Sequence, residues 1–86
     1  MIFDNAKRNL RDFAKLLVQL DGAEVIGLAR ILQVELFYKD IKDENGLPTP
    51  RSGEAIIEDC LVKFNALNRQ YRKEILRLMR ETIKEK

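Results

Sequence analysis

The sequence predicts an all-α fold: a compact single domain, similar to a four-helix bundle, over residues 1–86. Apolar residues recur at spacings of three and four, and no window alternates apolar and polar residues over the length of a strand. The chain is 45% hydrophobic and 35% charged, with enough residues for one core but too few for two domains. The predicted segments are helices at about 4–20, 22–38, 53–67 and 69–84, and a loop at 39–53.

The first helix is predicted from a narrow apolar stripe. The stripe consists of Phe3, Ala6, Leu10, Phe13, Leu17 and Leu20. Asp4 is the expected N-cap, since its carboxylate can accept a hydrogen bond from a free backbone amide of the first turn. Asp21 and Glu24 have the spacing of a capping box, which predicts a tight turn into the second helix.

The second predicted helix is apolar nearly all round. Its two apolar sides are Val25, Ala29, Leu32 and Leu36, and Ile26, Ile31, Val34 and Phe37. Such a helix is usually buried on both sides by neighbouring helices or by a second subunit, which raises the prospect of a homodimer. The segment after it holds both prolines and two of the four glycines, so it is interpreted as a loop.

The third and fourth helices are predicted to begin after the N-caps Ser52 and Asn68. Cys60, the only cysteine, falls on the core stripe of the third helix, where a thiol without cationic neighbours is an inert core residue. It has no internal disulfide partner, and the N-terminal sequence lacks a signal-peptide pattern. We therefore expect a cytoplasmic location and no membrane partner.

The composition argues against an enzyme, and no catalytic residue, metal ligand or cofactor is predicted. There is no histidine, the commonest general base near neutral pH. The acidic run KDIKDENG lacks the ligand spacing of an EF-hand. Glu54 and Glu58 share a helix face but lack the Glu-x-x-His motifs of di-metal bundles. No glycine-rich phosphate loop is present.

Charge is segregated along the chain, and the last helix carries a basic stripe. Residues 1–20 have four bases and two acids, residues 21–60 four and nine, and residues 61–86 eight and three, which gives +2, −5 and +5. At 100° per residue, five cations of the fourth helix lie within an arc of about 80°. These candidates for contact with nucleic acid or another anionic partner are Arg69, Lys73, Arg77, Arg80 and Lys84. The alternative is an ordinary solvated face.

A second surface is predicted on the back of the third helix, where Ala55, Val62 and Ala66 form a stripe of small apolar residues. This stripe is a candidate protein interface, although isolated apolar residues on a surface are common.

The segment VIGLARILQVEL resembles the first two thirds of a DNA-binding helix-turn-helix, with Ala29 and Val34 at the packing positions. It departs from the motif at Gln33, where a turn glycine is usual. The recognition-helix anchors would be Lys39 and Lys42, and burying a lysine is costly. We therefore expect no true motif here.

The C-terminal run VKFNALNRQYRKEILRLMRE resembles a helical hairpin of small proteins of bacterial prophages and mobile elements. The residues that carry the resemblance are Phe64, Leu67, Asn68, Arg72, Ile75 and Leu76. The resemblance implies an origin in a prophage or mobile element more than it implies any particular activity. The sequence thus predicts a small non-catalytic regulatory or accessory protein whose basic last helix contacts nucleic acid. The alternative is a protein–protein interaction module of the inhibitor, immunity or adaptor type.

Overall fold

A computed structural model describes the backbone of residues 5–86 and the side chains of residues 7–86. The predictions for Phe3, Asp4 and the Ala6 side chain lie outside this part of the chain. The elements in chain order are α1 (Asn5–Leu17), α2 (Gly22–Ile31), β1 (Phe37–Lys42), β2 (Pro48–Pro50), α3 (Gly53–Ala66) and α4 (Arg69–Lys84). The strands pair in an antiparallel hairpin, so the all-α prediction is wrong and the fold is a small mixed α/β fold.

The second helix is shorter than predicted because it ends at the C-cap Leu32, and the next residue, Gln33, leaves the helical conformation. Gln33 has a φ of 60°, in the left-handed region. Its amide donates to the Arg30 carbonyl at 3.1 Å, and the Val34 amide donates to the Ala29 carbonyl at 2.8 Å. This pair of hydrogen bonds is a Schellman motif, which satisfies the last helical carbonyls and turns the chain away from the helix axis.

The predicted loop at 39–53 contains most of the hairpin. Phe37 pairs with Pro50 and Lys42 with Pro48, and the register is irregular between residues 38 and 42. Prolines are tolerated here because β2 is an edge strand that leaves one side unpaired. In the turn, Asp43 Oδ1 accepts from the amides of Asn45 and Leu47 at 2.8 and 2.9 Å, and the positive φ of 78° falls on a glycine, Gly46.

The N-caps predicted for the later helices are confirmed. Asp21 and Glu24 form both hydrogen bonds of the capping box. Ser52 accepts from the Ala55 amide and Asn68 from the Tyr71 amide.

The core joins all four helices. Phe13 of α1 stacks on Phe64 of α3 with ring centroids 4.1 Å apart, and both rings are fully buried. α1 and α4 run in the same direction, since Asp12 is paired with Arg80 and, just past the C-terminal ends of the two helices, the Gln19 carbonyl accepts from Lys86. The buried residues are Phe13, Leu17, Leu28, Ala29, Leu32, Val34, Ile56, Cys60, Phe64, Ile75, Leu76 and Met79.

The hairpin is tied to the helices through Arg51. Its guanidinium contacts Asp59 of α3 at 2.7 Å and donates to the Glu35 carbonyl at 2.9 Å, while its amide donates to the Leu36 carbonyl. The Asp59 carboxylate, first through its hydrogen bond, raises the pKa of Arg51. One side chain thus joins the two ends of the hairpin to α3.

Candidate nucleic-acid interface

A groove of about 610 Å³, lined mostly by charged residues, runs between the parallel helices α1 and α4. Four of the five cations predicted on the last helix line it, and Arg69 lies on the same arc of α4, close to its N-terminus. The neighbouring side of α4 is buried through Ile75, Leu76 and Met79, and Leu76 also lines the groove, which fixes the direction of the basic arc. The groove is lined by Asn9, Asp12, Lys73, Leu76, Arg77, Arg80, Glu81 and Lys84.

Two of the predicted cations are held by carboxylates. Arg77 donates to Glu74 at 2.7 Å and to Glu81 at 3.0 Å, so it bridges acids on either side of it along the helix. These contacts, first the hydrogen bond to Glu74, raise the pKa of Arg77. Arg80 lies 3.8 Å from Asp12 across the groove. Both cations would have to exchange a carboxylate for any incoming anion.

The other three cations are more available. Arg69, Lys73 and Lys84 are exposed, and none of them forms an ion pair with another residue in the described part of the chain.

α1 adds three cations to this surface that the sequence analysis missed. Arg8 and Lys15 lie about one turn before and one turn after Asp12, within about 60° of it around α1, and Arg11 lies about 100° from it on the same side; the groove itself is lined on α1 by Asn9 and Asp12. All three are exposed. The spacing of 8, 11 and 15 marks a helical stripe, but the sequence did not indicate that α1 lies beside α4.

The two stripes together form one surface, called here the basic face. It contains eight bases and three acids, which gives a net charge of +5. Its acidic members are Asp12, Glu74 and Glu81. Its basic members are Arg8, Arg11, Lys15, Arg69, Lys73, Arg77, Arg80 and Lys84.

The small apolar stripe predicted on α3 is only partly exposed. Val62 is 66% exposed and Ala66 is exposed, whereas Ala55 is half-buried and its carbonyl accepts a long contact from Arg51 at 3.5 Å. Larger apolar side chains are exposed elsewhere, including Val18 and, on the hairpin, Phe37 and Leu47.

Cys60 is fully buried, as its place on the core stripe predicted. Burial, and next the nearby Asp59 carboxylate, raise the pKa of its thiol, which keeps it in the weakly nucleophilic protonated form. Among residues 7–86, no three acidic or cysteine side chains are grouped so that they could hold a metal ion.

The segment with the likeness to a helix-turn-helix does not continue into a second helix. Ala29 and Val34 are buried at the turn, and Gln33 adopts the left-handed conformation that a glycine often takes there. The chain then enters β1, in which Lys39 and Lys42 are exposed. The expected departure from the motif is thus seen in the fold.

Comparison of the chain with protein-family models, with curated proteins and with solved structures gave no match. Within the described residues, no helix combines the length and the apolar character needed to cross a bilayer.

Proposed function

We propose that this chain is a small non-catalytic binding protein whose basic face contacts nucleic acid through its phosphates. The supporting observation is the parallel arrangement of α1 and α4, which puts cations from two distant parts of the sequence on one surface. Cations on one face contact phosphates with little demand for an exact side-chain geometry, so affinity follows their number. A regulatory or accessory role in the cytoplasm, in a prophage or mobile element, is the setting that we propose for it.

The absence of obvious catalytic groups supports the binding role. The sequence has no histidine, and its one thiol is buried with a raised pKa. The acids on the basic face, Asp12, Glu74 and Glu81, each lie beside an arginine and do not converge on a shared reactive centre. Binding through charge needs only the exposed cations.

The test is the salt dependence of binding to a fluorescent DNA duplex, measured by anisotropy between about 50 and 200 mM salt. The double variant Lys73→Glu, Lys84→Glu reverses two available cations of the basic face. The slope of log K against log salt is negative, and each lost phosphate contact makes it shallower by about 0.9. For the double variant we therefore expect the magnitude of the slope to be smaller by about 2.

The matched control is the double variant Lys42→Glu, Lys63→Glu. It makes the same change in net charge at exposed lysines of β1 and α3 that form no ion pair with another described residue. It should bind almost as the parent chain does. Absence of binding at low salt, or an equal loss in both double variants, would overturn the proposal.

A protein–protein interaction module is the second candidate, and the exposure of Val62 on the α3 stripe favours it. An exposed valine next to small residues allows close approach of a partner surface. In a pull-down from cell extract, Val62→Arg should abolish capture of the protein that the parent chain captures. The Lys73→Glu, Lys84→Glu variant should still capture that protein. The reverse pattern would reject this candidate in favour of the basic face.

A homodimer is a further part of the proposal. Ile26 and Ile31 of α2 are 44% and 54% exposed, so the chain itself leaves part of this helix uncovered. Sedimentation at micromolar concentration should give twice the 10.0 kDa of one chain, and Ile31→Lys should shift the equilibrium toward one chain. A single-chain species for the parent would reject the dimer.

A further inference from the structure

We infer that the ligand of the basic face is a nucleic-acid duplex, held through both phosphate backbones without recognition of base sequence. This inference rests on the proposed function and specifies its ligand. Three features of the described chain carry it: the position of the aromatic residues, the width of the helix pair and the length of the cation rows.

The aromatic residues of the described chain are placed away from the basic face. Phe13 and Phe64 are buried against each other, and Phe37 and Tyr38 lie on the hairpin. Tyr71 is 60% exposed, but it is two residues from Lys73 and therefore about 160° away around α4. Proteins that bind single strands usually stack the unpaired bases on aromatic side chains. The described residues of this face offer charge without such a platform, which favours a duplex.

The width of the basic face prevents both helices from entering one groove of DNA together. Two helices side by side, each about 10 Å in diameter or more and 8–10 Å apart, measure about 20 Å across. The major groove of B-DNA is about 12 Å wide and admits a single helix. Among the described residues that line the groove, the one side-chain amide is Asn9, whose Nδ2 is buried. Contacts with base edges are therefore disfavoured relative to contacts with phosphates, which carry no direct sequence information.

The length of the basic face suits two phosphate chains. From Arg69 to Lys84 the rise of α4 is about 22 Å, which equals six or seven steps of one DNA strand at about 3.4 Å each. A single strand would follow one row and leave the other without contacts. A duplex presents two chains, one for the row of α4 and one for Arg8, Arg11 and Lys15 of α1.

The experiment is a competition against the fluorescent duplex at equal total phosphate. The competitors are two unlabelled duplexes of unrelated sequence, one single strand, and inorganic polyphosphate. We expect the two duplexes to agree within about twofold, since backbone contacts are shared by all sequences. The single strand and polyphosphate should compete at least about tenfold less well, because each engages fewer cations at once.

The α1 row is tested separately with Arg8→Gln, Lys15→Gln. This variant should lose most of the preference for duplex over single strand while circular dichroism shows an unchanged helix content. Arg30→Gln, Lys63→Gln is the matched control, with exposed cations of α2 and α3 that lie off the basic face. It should keep the preference.

Each failure has a separate meaning. A difference of more than tenfold between the two duplexes would overturn sequence-independent binding. Equal competition by single strand or by polyphosphate, or unaltered duplex binding by Arg8→Gln, Lys15→Gln, would overturn the two-row arrangement. All three results leave the proposed phosphate-binding function standing. Absence of binding at low salt, or an equal loss in the two charge-reversed double variants, rejects that function, so the two failures are distinguishable.

Discussion

Replacing Gln33 by glycine should stabilise the protein, because Gln33 holds a backbone conformation that suits glycine better. It is the non-glycine residue with a positive φ in the described chain, and it closes the Schellman motif at the end of α2. Its side chain is exposed and makes no hydrogen bond with another described residue, so the substitution removes no stabilising side-chain contact.

The magnitude follows from two opposing terms. A side chain in the left-handed region costs about 1–2 kcal/mol, which glycine does not incur. Glycine also makes the unfolded chain more flexible, which offsets about 0.4–1 kcal/mol of that gain. We expect the free energy of unfolding of Gln33→Gly to rise by about 0.5–1 kcal/mol, equivalent to about 3–6 °C in Tm for a chain of this size.

Urea and thermal denaturation followed by circular dichroism would measure this change. Gln33→Ala keeps a Cβ at the same φ and should leave stability nearly unchanged. Gly46→Ala introduces a Cβ at a φ of 78° in the hairpin turn, where no atom lies within 4 Å of it, so only backbone strain is added and stability should fall. If Gln33→Gly were no more stable than Gln33→Ala, the assignment of strain to Gln33 would be wrong.

Four other predictions concern single side chains. Arg77→Gln should weaken duplex binding less than Lys84→Gln in the anisotropy assay, because two carboxylates already hold Arg77. Phe64→Ala should lower the free energy of unfolding by about 3–5 kcal/mol in urea, and Phe64→Leu by less. Arg51→Lys should speed amide exchange in the hairpin relative to α4, because the single nitrogen of a lysine cannot replace the two guanidinium nitrogens that contact Asp59 and the Glu35 carbonyl separately. Burial, followed by the charge of Asp59, raises the pKa of Cys60 in the folded state above the ordinary value of 9.0. As the pH rises above 9.0 the thiol therefore ionises first in the unfolded chain, and the free energy of unfolding should fall. Denaturation at several pH values would measure this fall, and the contribution of the thiol to it should be absent from Cys60→Ala.

The features that the sequence predicted depend on local chemistry. A capping carboxylate, hydroxyl or carboxamide oxygen acts on amides two or three residues away, so Asp21, Ser52 and Asn68 could be identified without knowledge of the fold. The buried position of Cys60 followed from the spacing of its own helix. These signals need no partner from a distant part of the chain.

The end of α2 and the hairpin could not be predicted in the same way. The apolar pattern continues through Val34, Leu36 and Phe37, and a glutamine gives no local signal for a left-handed cap. What holds the hairpin in place is Arg51, which contacts a backbone carbonyl 16 residues earlier in the chain. A helical period in the sequence was therefore overridden by a contact that only the fold creates.

The basic face depends on both kinds of information, which bears on how it would work. The α4 stripe can be identified from the sequence, but the groove exists only because α1 lies parallel to α4, with Asp12 facing Arg80. The arginines at the centre of the groove, Arg77 and Arg80, already have carboxylate partners. Around them on the basic face, Lys73 and Lys84 of α4 and Arg8, Arg11 and Lys15 of α1 form no ion pair with another described residue. An approaching duplex would therefore meet the surrounding cations first. The exposed pairs of Arg77 and Arg80 are weak in water, so phosphates could replace their carboxylates once the duplex is held. Binding in this order gives a contact that forms quickly and weakens steeply with salt.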